Sequence, residues 1–241
     1  MKMAKEKMWT ELARHYDKIY KWKDYKKEAE RVHYIIQKLK KTNGRELLDV
    51  ACGTGNHIQY LKKHYSITGI DLNKGMLDAA RKKFPRNRFL QADMADFRIK
   101  KEFDAIVCLF SAIAYTKDYN TLKKTLKNFS KHTKKGGVIV IEPFIHLDEF
   151  MKGSVLMHTV DEPGLKLVRI GSSMKKRNLA HLDFRFLIAT KKGIEYIEDK
   201  HTLGLFRPEK VVKMLSEIGF SAKFLKNGLM KGRGLYVAVK K

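Results

Sequence analysis

The apolar positions follow two different rules along the chain. Between Glu46 and Pro143, short apolar runs alternate with stretches of helical period. The runs are Leu47-Leu48-Asp49-Val50, Ile67-Thr68-Gly69-Ile70, Phe89-Leu90-Gln91-Ala92, Phe103-Asp104-Ala105-Ile106-Val107 and Val138-Ile139-Val140-Ile141. That order predicts a parallel sheet covered on both faces. Ahead of it, residues 6–20 and 24–40 carry apolar positions about 3.6 apart and are predicted helices, the second ended by Asn43-Gly44. Behind it the period changes to two over 165–206. Leu182, Phe184, Phe186 and Ile188 alternate with Asp183, Arg185 and Leu187, with turns expected at Lys175-Lys176-Arg177-Asn178 and Lys192-Gly193. An antiparallel sheet inserted into the parental fold is expected there. Pro208 opens a last helix that ends at Gly219, and two final strands follow around Lys223 and Tyr236. The division is therefore 1–143 with 207–241 as one domain, and 144–206 as an inserted sheet that walls a substrate pocket, pairs with a second subunit, or both.

The first strand runs into Ala51-Cys52-Gly53-Thr54-Gly55, a glycine-rich turn built to hold a ligand against bare backbone. A dinucleotide fingerprint needs a third glycine three residues on, where this chain has Ile58; a P-loop needs Gly-Lys-Ser/Thr, and Asn56-His57 follow instead. Both phosphate readings fail. What remains is a series of acids at strand ends. Asp49 before the turn suits a cation, Asp71 after the second run suits the two hydroxyls of a ribose, and Asp93, with Asp96 shortly after, suits the exocyclic amine of an adenine. The ligand described has a positive end, a ribose and an adenine.

At these residues the chain resembles the class I S-adenosylmethionine (SAM) methyltransferases. The resemblance rests on Asp49 to Gly55, on Gly69-Ile70-Asp71-Leu72-Asn73 with Met76-Leu77, on Gln91-Ala92-Asp93-Met94 and on Phe103 to Val107. Together they span about residues 45–142 in the expected order. It implies an α/β fold, a Rossmann-like seven-stranded sheet with helices on both faces. The cofactor-binding residues it implies are Tyr16, Tyr20, Asp49, Ala51, Cys52, Gly53, Gly55, Asp71, Leu72, Met76, Asp93, Met94 and Leu109.

Composition narrows the picture. No apolar run reaches the roughly 18 residues a membrane span needs. The start, Met1 to Lys7, leads into an amphipathic stretch and does not read as a signal peptide. The only cysteines, Cys52 and Cys108, sit in or beside expected buried strands, which suggests reduced thiols and a cytoplasmic protein. No Cys/His cluster has zinc spacing, so no metal is expected. Lys and Arg number 51 against 26 Asp and Glu, a formal charge of +25. The bases are spread in pairs such as Lys62-Lys63 and Lys191-Lys192, a field that draws in anions, whether nucleic acid or a small phosphorylated substrate.

A second, narrower resemblance spans most of the chain. Tyr16-Asp17-x-Ile19-Tyr20 with Lys23-Asp24-Tyr25, Met94-Ala95-Asp96-Phe97, Phe110-Ser111-Ala112-Ile113, Glu142-Pro143-Phe144, His201-Thr202-Leu203-Gly204-Leu205-Phe206 and Gly232-Arg233-Gly234-Leu235-Tyr236 carry it. They are similar to a subgroup that N,N-dimethylates the amines of TDP-linked amino sugars. Its members form dimers through the inserted sheet, and the resemblance implies a homodimer here. In that subgroup the arginine of Gly-Arg-Gly and an N-terminal tyrosine touch the substrate diphosphate. The arginine carries over to Arg233, whose fork can bind phosphate at two points; the tyrosine position falls near Trp9. Two departures lie on the acceptor side: Tyr115 stands where members often have histidine, and Phe144-Ile145 where some have paired tryptophans.

Methyl transfer from a sulfonium needs an uncharged nucleophile held in line. Tyr115 is the candidate to orient an acceptor amine, and Glu142 either attracts that amine or caps its strand. No dedicated general base is expected; His146, His158 and His201 read as structural or solvated. Base-amine methylation commonly leaves Asn/Asp-Pro-Pro-aromatic after the fourth strand, where this chain has Leu109 to Tyr115 without proline. Carbon-5 pyrimidine methylation needs a reactive cysteine, and Cys108 sits in a buried strand where thiols are inert. The reading is a small-molecule methyltransferase acting on an amine. Two alternatives stay open: an RNA methyltransferase using the basic surface, and a SAM-binding module without catalysis.

Overall fold

A computed structural model describes residues 6–145, 150 and 153–241. The helices are α1 (Tyr16–Ile19), α2 (Tyr25–Leu39), α3 (Ile58–Leu61), α4 (Lys74–Lys83), α5 (Tyr119–Lys131) and α6 (Pro208–Glu217). The strands are β1 (Glu46–Val50), β2 (Ser66–Asp71), β3 (Arg88–Gln91), β4 (Phe103–Cys108), β5 (Thr133–Ile141), β6 (Val155–Glu162), β7 (Leu165–Lys176), β8 (Leu179–Thr190), β9 (Gly193–Gly204), β10 (Phe220–Leu225) and β11 (Leu235–Lys240). Seven of them form one sheet in the order β10-β11-β5-β4-β1-β2-β3. Pairing is parallel from β5 to β3, while β11 runs antiparallel to both β5 and β10. The four inserted strands form a separate antiparallel sheet, β6-β7-β8-β9.

The apolar runs explain the central sheet. Every residue of β4 is buried, as are the last four of β1 and the last six of β5, which is what strands covered on both faces require. One face packs Val32 and Ile36 of α2 and Leu77 of α4 onto Leu47, Ala105 and Val138. The other packs Leu122, Leu126 and Phe129 of α5 and Leu215 of α6 onto Leu48, Ile106 and Ile139. The crossovers leave β1 and β4 in opposite directions, so a crevice opens at their carboxyl ends. Asp24 caps α2 by accepting the Lys27 N–H at 2.9 Å.

The structure departs from the pattern reading in four places. Residues 6–20 are not one helix but two 3₁₀ turns (Lys7–Trp9 and Ala13–His15) and the four-residue α1. The reason is tertiary: the Asp199 carboxylate takes the Lys7 and Met8 N–H groups, and Met8, Leu12, Tyr16 and Ile19 are buried against the inserted sheet and Met76. The glycine turn leads only into α3, four residues long, and β3 reaches β4 through a loop without a helix. The inserted sheet begins at Val155, ten residues before the two-period signal. In β6 the apolar residues Val155, Leu156 and Met157 are consecutive and exposed, so no alternation marks the strand. His146 lies outside the described residues. None of the described helices is long and apolar enough to cross a membrane, and no group of three or more His, Cys, Asp or Glu side chains among the described residues could hold a metal ion.

Candidate active site

The crevice at the ends of β1, β2 and β4 opens into a chamber of about 670 Å³, within the size range of small-ligand sites. Ala51, Gly53, Asp71, Leu72, Asp93, Met94 and Leu109 line it, as do Tyr16 and Tyr20 from the N-terminal segment. A smaller recess beside it is lined by Asp49, Cys52, Thr54 and His57, and shares Tyr16, Ala51, Gly53 and Leu109 with the chamber. The acids predicted from the strand ends therefore converge. Three residues expected on the cofactor side reach neither the chamber nor the recess. Met76 is buried beneath the N-terminal segment, and Asp96 is exposed on the loop after β3. Gly55 stands behind the turn: its φ is +81°, and a Cβ there would meet the Phe84 ring at 2.8 Å. Gly53, at φ +55°, faces open space on the ligand side, so backbone alone forms that wall.

Asp71 is fixed by two backbone donors. Its Oδ2 accepts the Gly53 N–H at 2.9 Å, and its Oδ1 accepts the Asn73 N–H at 2.8 Å. Each oxygen keeps a second lone pair, so the carboxylate can still accept a pair of hydroxyls. Asp93 Oδ1 is tied to the Ala95 N–H at 2.8 Å. Asp49 is different. It is buried, with no ion pair among the described residues, and burial first and the nearby Asp71 second push its pKa up to about 8. Burial also raises Asp71, against the pull of its backbone hydrogen bonds. Two neighbouring buried carboxylates with no ion pair to either among the described residues are an incomplete electrostatic arrangement. A ligand with a cationic end completes it. The bare wall at Gly53, the fixed Asp71 and the uncompensated Asp49 fit SAM, which when bound supplies a methyl group already activated on sulfur.

The acceptor side is built by three distant segments. After β4, Phe110 and Ser111 adopt positive φ angles of 50° and 64°, a strained pair for non-glycine residues. Glu142 holds the first: its Oε2 accepts the Phe110 N–H at 2.6 Å. Ser111 Oγ donates to the Pro143 carbonyl at 3.1 Å and accepts from Arg233 Nη1 at 2.7 Å. Glu142 is fully buried and does not line the chamber; burial first raises its pKa, with Arg233 and Lys23 opposing. Its position is that of a brace under the turn, not of a group facing an acceptor. Arg233 does line the chamber, its guanidinium 5.4 Å from the Phe110 ring centroid and 5.6 Å from that of Phe144. Burial lowers its pKa, and Glu142 acts against that shift.

Tyr115 lies in the chamber wall, as expected of an orienting group, and its hydroxyl meets His201 Nδ1 at 2.7 Å. His201 is not a solvated histidine: it also lines the chamber, with Nε2 2.8 Å from Asp199 Oδ2. His158 lines the chamber beside Trp22, their rings stacked at 5.7 Å. The residue most clearly missed from sequence is Arg169 of β7. It is 3% exposed, lines the chamber, donates from Nη1 to the Tyr20 hydroxyl at 3.0 Å, and leaves its buried Nε–H without a partner. The available signal was its buried-face position in the two-period strand, between Leu167 and Gly171.

A seven-stranded sheet of this order with an acid-lined glycine turn at the β1–β4 crevice belongs to the class I SAM-dependent methyltransferases. A methyltransferase-domain family model matches residues 47–137. The chain belongs to the family of the TDP-amino-sugar N,N-dimethyltransferases. It is 33% identical over 228 residues to dTDP-3-amino-3,4,6-trideoxy-alpha-D-glucopyranose N,N-dimethyltransferase of Streptomyces venezuelae, covering 93% of this chain and 95% of that one. The crystal structure of Streptomyces venezuelae DesVI superposes with a TM-score of 0.90 at 32% identity, over 95% of this chain and 98% of the other. SAM-bound CalS10, an amino pentose methyltransferase from Micromonospora echinaspora, gives 0.85 at 27% identity, over 96% and 97%.

Proposed function

We propose that this protein methylates the amine of a nucleotide-linked amino sugar, taking the methyl group from SAM. The observation that carries the reading is Arg169: a buried guanidinium with an unpartnered Nε–H and no carboxylate paired to it among the described residues. Such a group calls for an anion from the ligand. It lines the same chamber as Tyr115 and Arg233, so an acceptor with a phosphorylated end and an amine end has partners for both. Trp22, stacked on the His158 that pairs with Arg169 across β6 and β7, offers its exposed outer face to a nucleobase. Asp49 receives the cationic end of the cofactor, Asp71 its ribose and Asp93 its adenine; Tyr16, Tyr20, Leu72, Met94 and Leu109 wall it. An aromatic-walled chamber of this size favours a small acceptor over RNA, and the +25 charge then serves to draw in a phosphorylated one.

The test is incubation of the pure protein and labelled SAM with TDP-linked 3-amino and 4-amino sugars and with the same sugars lacking the nucleotide, products identified by mass. Methylation only of the linked sugars is expected; equal kcat/KM for free sugars overturns the reading. Arg169→Gln is expected to raise KM for the linked sugar about 10–100-fold, the loss of one or two charge-assisted hydrogen bonds, while leaving S-adenosylhomocysteine affinity unchanged by calorimetry. An unchanged KM removes Arg169 from the acceptor site.

The division into residues 1–143 with 207–241 and an insertion at 144–206 gives the insertion two faces. The inner face meets the N-terminal segment. On the outer face Met157 pairs with Ile170, and Leu187 with Tyr196, while Val155 is 80% and Ile194 72% exposed. An apolar sheet face of this kind is covered in solution by a second copy, which makes the protein a homodimer. Light scattering is expected to give twice the 28.0 kDa chain mass, and Leu187→Lys to halve it; a single-chain mass at micromolar concentration removes the dimer. The free thiols of Cys52, half-buried, and Cys108, buried, suit the reducing cytoplasm.

A further inference from the structure

We propose that Tyr115, His201 and Asp199 form a proton relay that takes the proton from the acceptor's ammonium at each methyl transfer. The proposal rests on the amine reading above. Asp199 and His201 are two apart on β9 and so share one face of the strand. Their side chains join at 2.8 Å, and His201 joins Tyr115 at 2.7 Å. Asp199 is 2% and His201 4% exposed. The carboxylate is anchored further by the Lys7 N–H at 2.9 Å on Oδ1 and the Met8 N–H at 3.1 Å on Oδ2. Trp9 packs edge-on against both rings, 5.9 Å from Tyr115 and 5.8 Å from His201.

This is more than a buried histidine made comfortable. The pattern assigns the imidazole proton to Nε2, donated to Asp199, and leaves the Nδ1 lone pair to accept from Tyr115. The hydroxyl oxygen of Tyr115, on the chamber wall, is the outlet of the chain. Burial holds this phenol well above its ordinary pKa, with Tyr20, Glu6 and Asp199 adding to the shift, so Tyr115 passes protons without resting as a phenolate. The charged and titratable groups around the relay are Glu6 and Tyr20 toward Tyr115, and Arg169 on the far side of the Phe184 ring that also meets His201.

In the step, the acceptor ammonium gives its proton to Tyr115 Oη as the tyrosine's own proton moves to His201 Nδ1. His201 becomes an imidazolium paired with Asp199. The freed nitrogen lone pair forms the N–C bond while the methyl's former bond pair stays on sulfur. The methylated nitrogen again carries a positive charge and a proton, so a second transfer needs the relay once more, after His201 has released its proton to water. Tyr115 touches the amine; His201 and Asp199 act through it as positioning residues.

The experiment compares kcat–pH profiles for the wild type, Tyr115→Phe and His201→Gln, using a TDP-linked 3-amino sugar. At pH 7 both variants are expected to lose about 10²-fold in kcat, the typical contribution of a positioned acid–base group, and to recover as pH approaches the pKa of the free amine. Monomethylated product is expected to accumulate with both. Asp199→Asn also loosens the Lys7–Met8 anchor, so the shape-keeping Tyr115→Phe is the decisive variant. A separate readout is nitrogen-15 NMR of His201 in the S-adenosylhomocysteine complex: adding the acceptor is expected to convert the ring from the neutral to the imidazolium pattern. Methyl transfer with unshifted profiles, or a His201 ring that stays neutral with acceptor bound, overturns the relay alone. Absence of transfer to any amine overturns the proposed acceptor class and the relay with it.

Discussion

Asp71→Ala is expected to weaken S-adenosylhomocysteine binding by about 10²–10³-fold, measured by titration calorimetry. The wild-type carboxylate is held by the Gly53 and Asn73 N–H groups and keeps one free lone pair on each oxygen for the ribose hydroxyls. Two hydrogen bonds to a charged acceptor contribute about 1.5–3 kcal/mol each, and ~1.4 kcal/mol is tenfold in affinity. The substitution also orphans two backbone donors, one of them in the turn that forms the cofactor wall. A lower melting temperature in the ligand-free protein is expected to accompany the binding loss. Asp71→Asn keeps the shape with one acceptor oxygen and should fall between. A loss below tenfold in Asp71→Ala would mean that the ribose does not sit on Asp71.

The second large effect concerns Asp49 and pH. Its pKa stands near 8 in the ligand-free fold, raised by burial and by Asp71, against about 3.9 for an unfolded aspartate. Between those values the folded state binds more protons than the unfolded one. Stability of the ligand-free protein therefore falls as pH rises from about 4 to about 8, by an amount on the order of a few kcal/mol. A cationic ligand reverses the preference, because it favours the ionised carboxylate. Cofactor affinity should rise about tenfold per pH unit below 8 and level off above it. The ligand's own α-amine, with an ordinary pKa of about 7.7–8.0, gives the falling limb once it loses its charge. The expected profile is a bell centred near pH 8, with proton release on binding below that pH. Asp49→Asn should flatten the rising limb, weaken binding at pH 8, and raise the melting temperature of the ligand-free protein above neutral pH. A rising limb that survives in Asp49→Asn would assign the titration to another group.

The donor half of this site was legible because its residues are local in sequence. Asp49, Gly53, Asp71 and Asp93 lie at or just beyond the carboxyl ends of β1, β2 and β3, and parallel strands bring those ends to one edge without further information. Period and turn chemistry therefore place them. The acceptor half is assembled differently. Arg169 and His201 come from β7 and β9, Tyr115 from the turn after β4, and Glu6 and Trp9 from a segment whose helical period the fold breaks into 3₁₀ turns. Asp199, two residues earlier, shares a face of β9 with His201, but only the packing of β9 against the turn after β4 brings Tyr115 to the ring, and only the N-terminal turn anchors the carboxylate. Glu142 shows another limit of locality. Its place after β5 leaves open whether it attracts the amine or caps its strand, and nothing in the sequence announces that the strained backbone of Phe110 donates to it. The missed strand β6 has the same origin: its apolar side chains are placed for an outer face, not for the core.

The bonds from the Lys7 and Met8 N–H groups to Asp199 bridge more than 190 positions of the chain, and Arg233 meets Ser111 across 122. These closures carry a time order. Lys7 and Met8, made long before Asp199, wait for it before they find their place, whereas β1 to β4 can pair as soon as they emerge. The donor half is thus assembled early, and the chamber for the acceptor closes last. In unfolding, the same contacts mark the seam most exposed to opening, since few local interactions hold the N-terminal turns without Asp199. Mild denaturant should therefore release the Trp9 environment while the cofactor crevice is still intact, making this early-made segment a reporter of when the catalyst is complete.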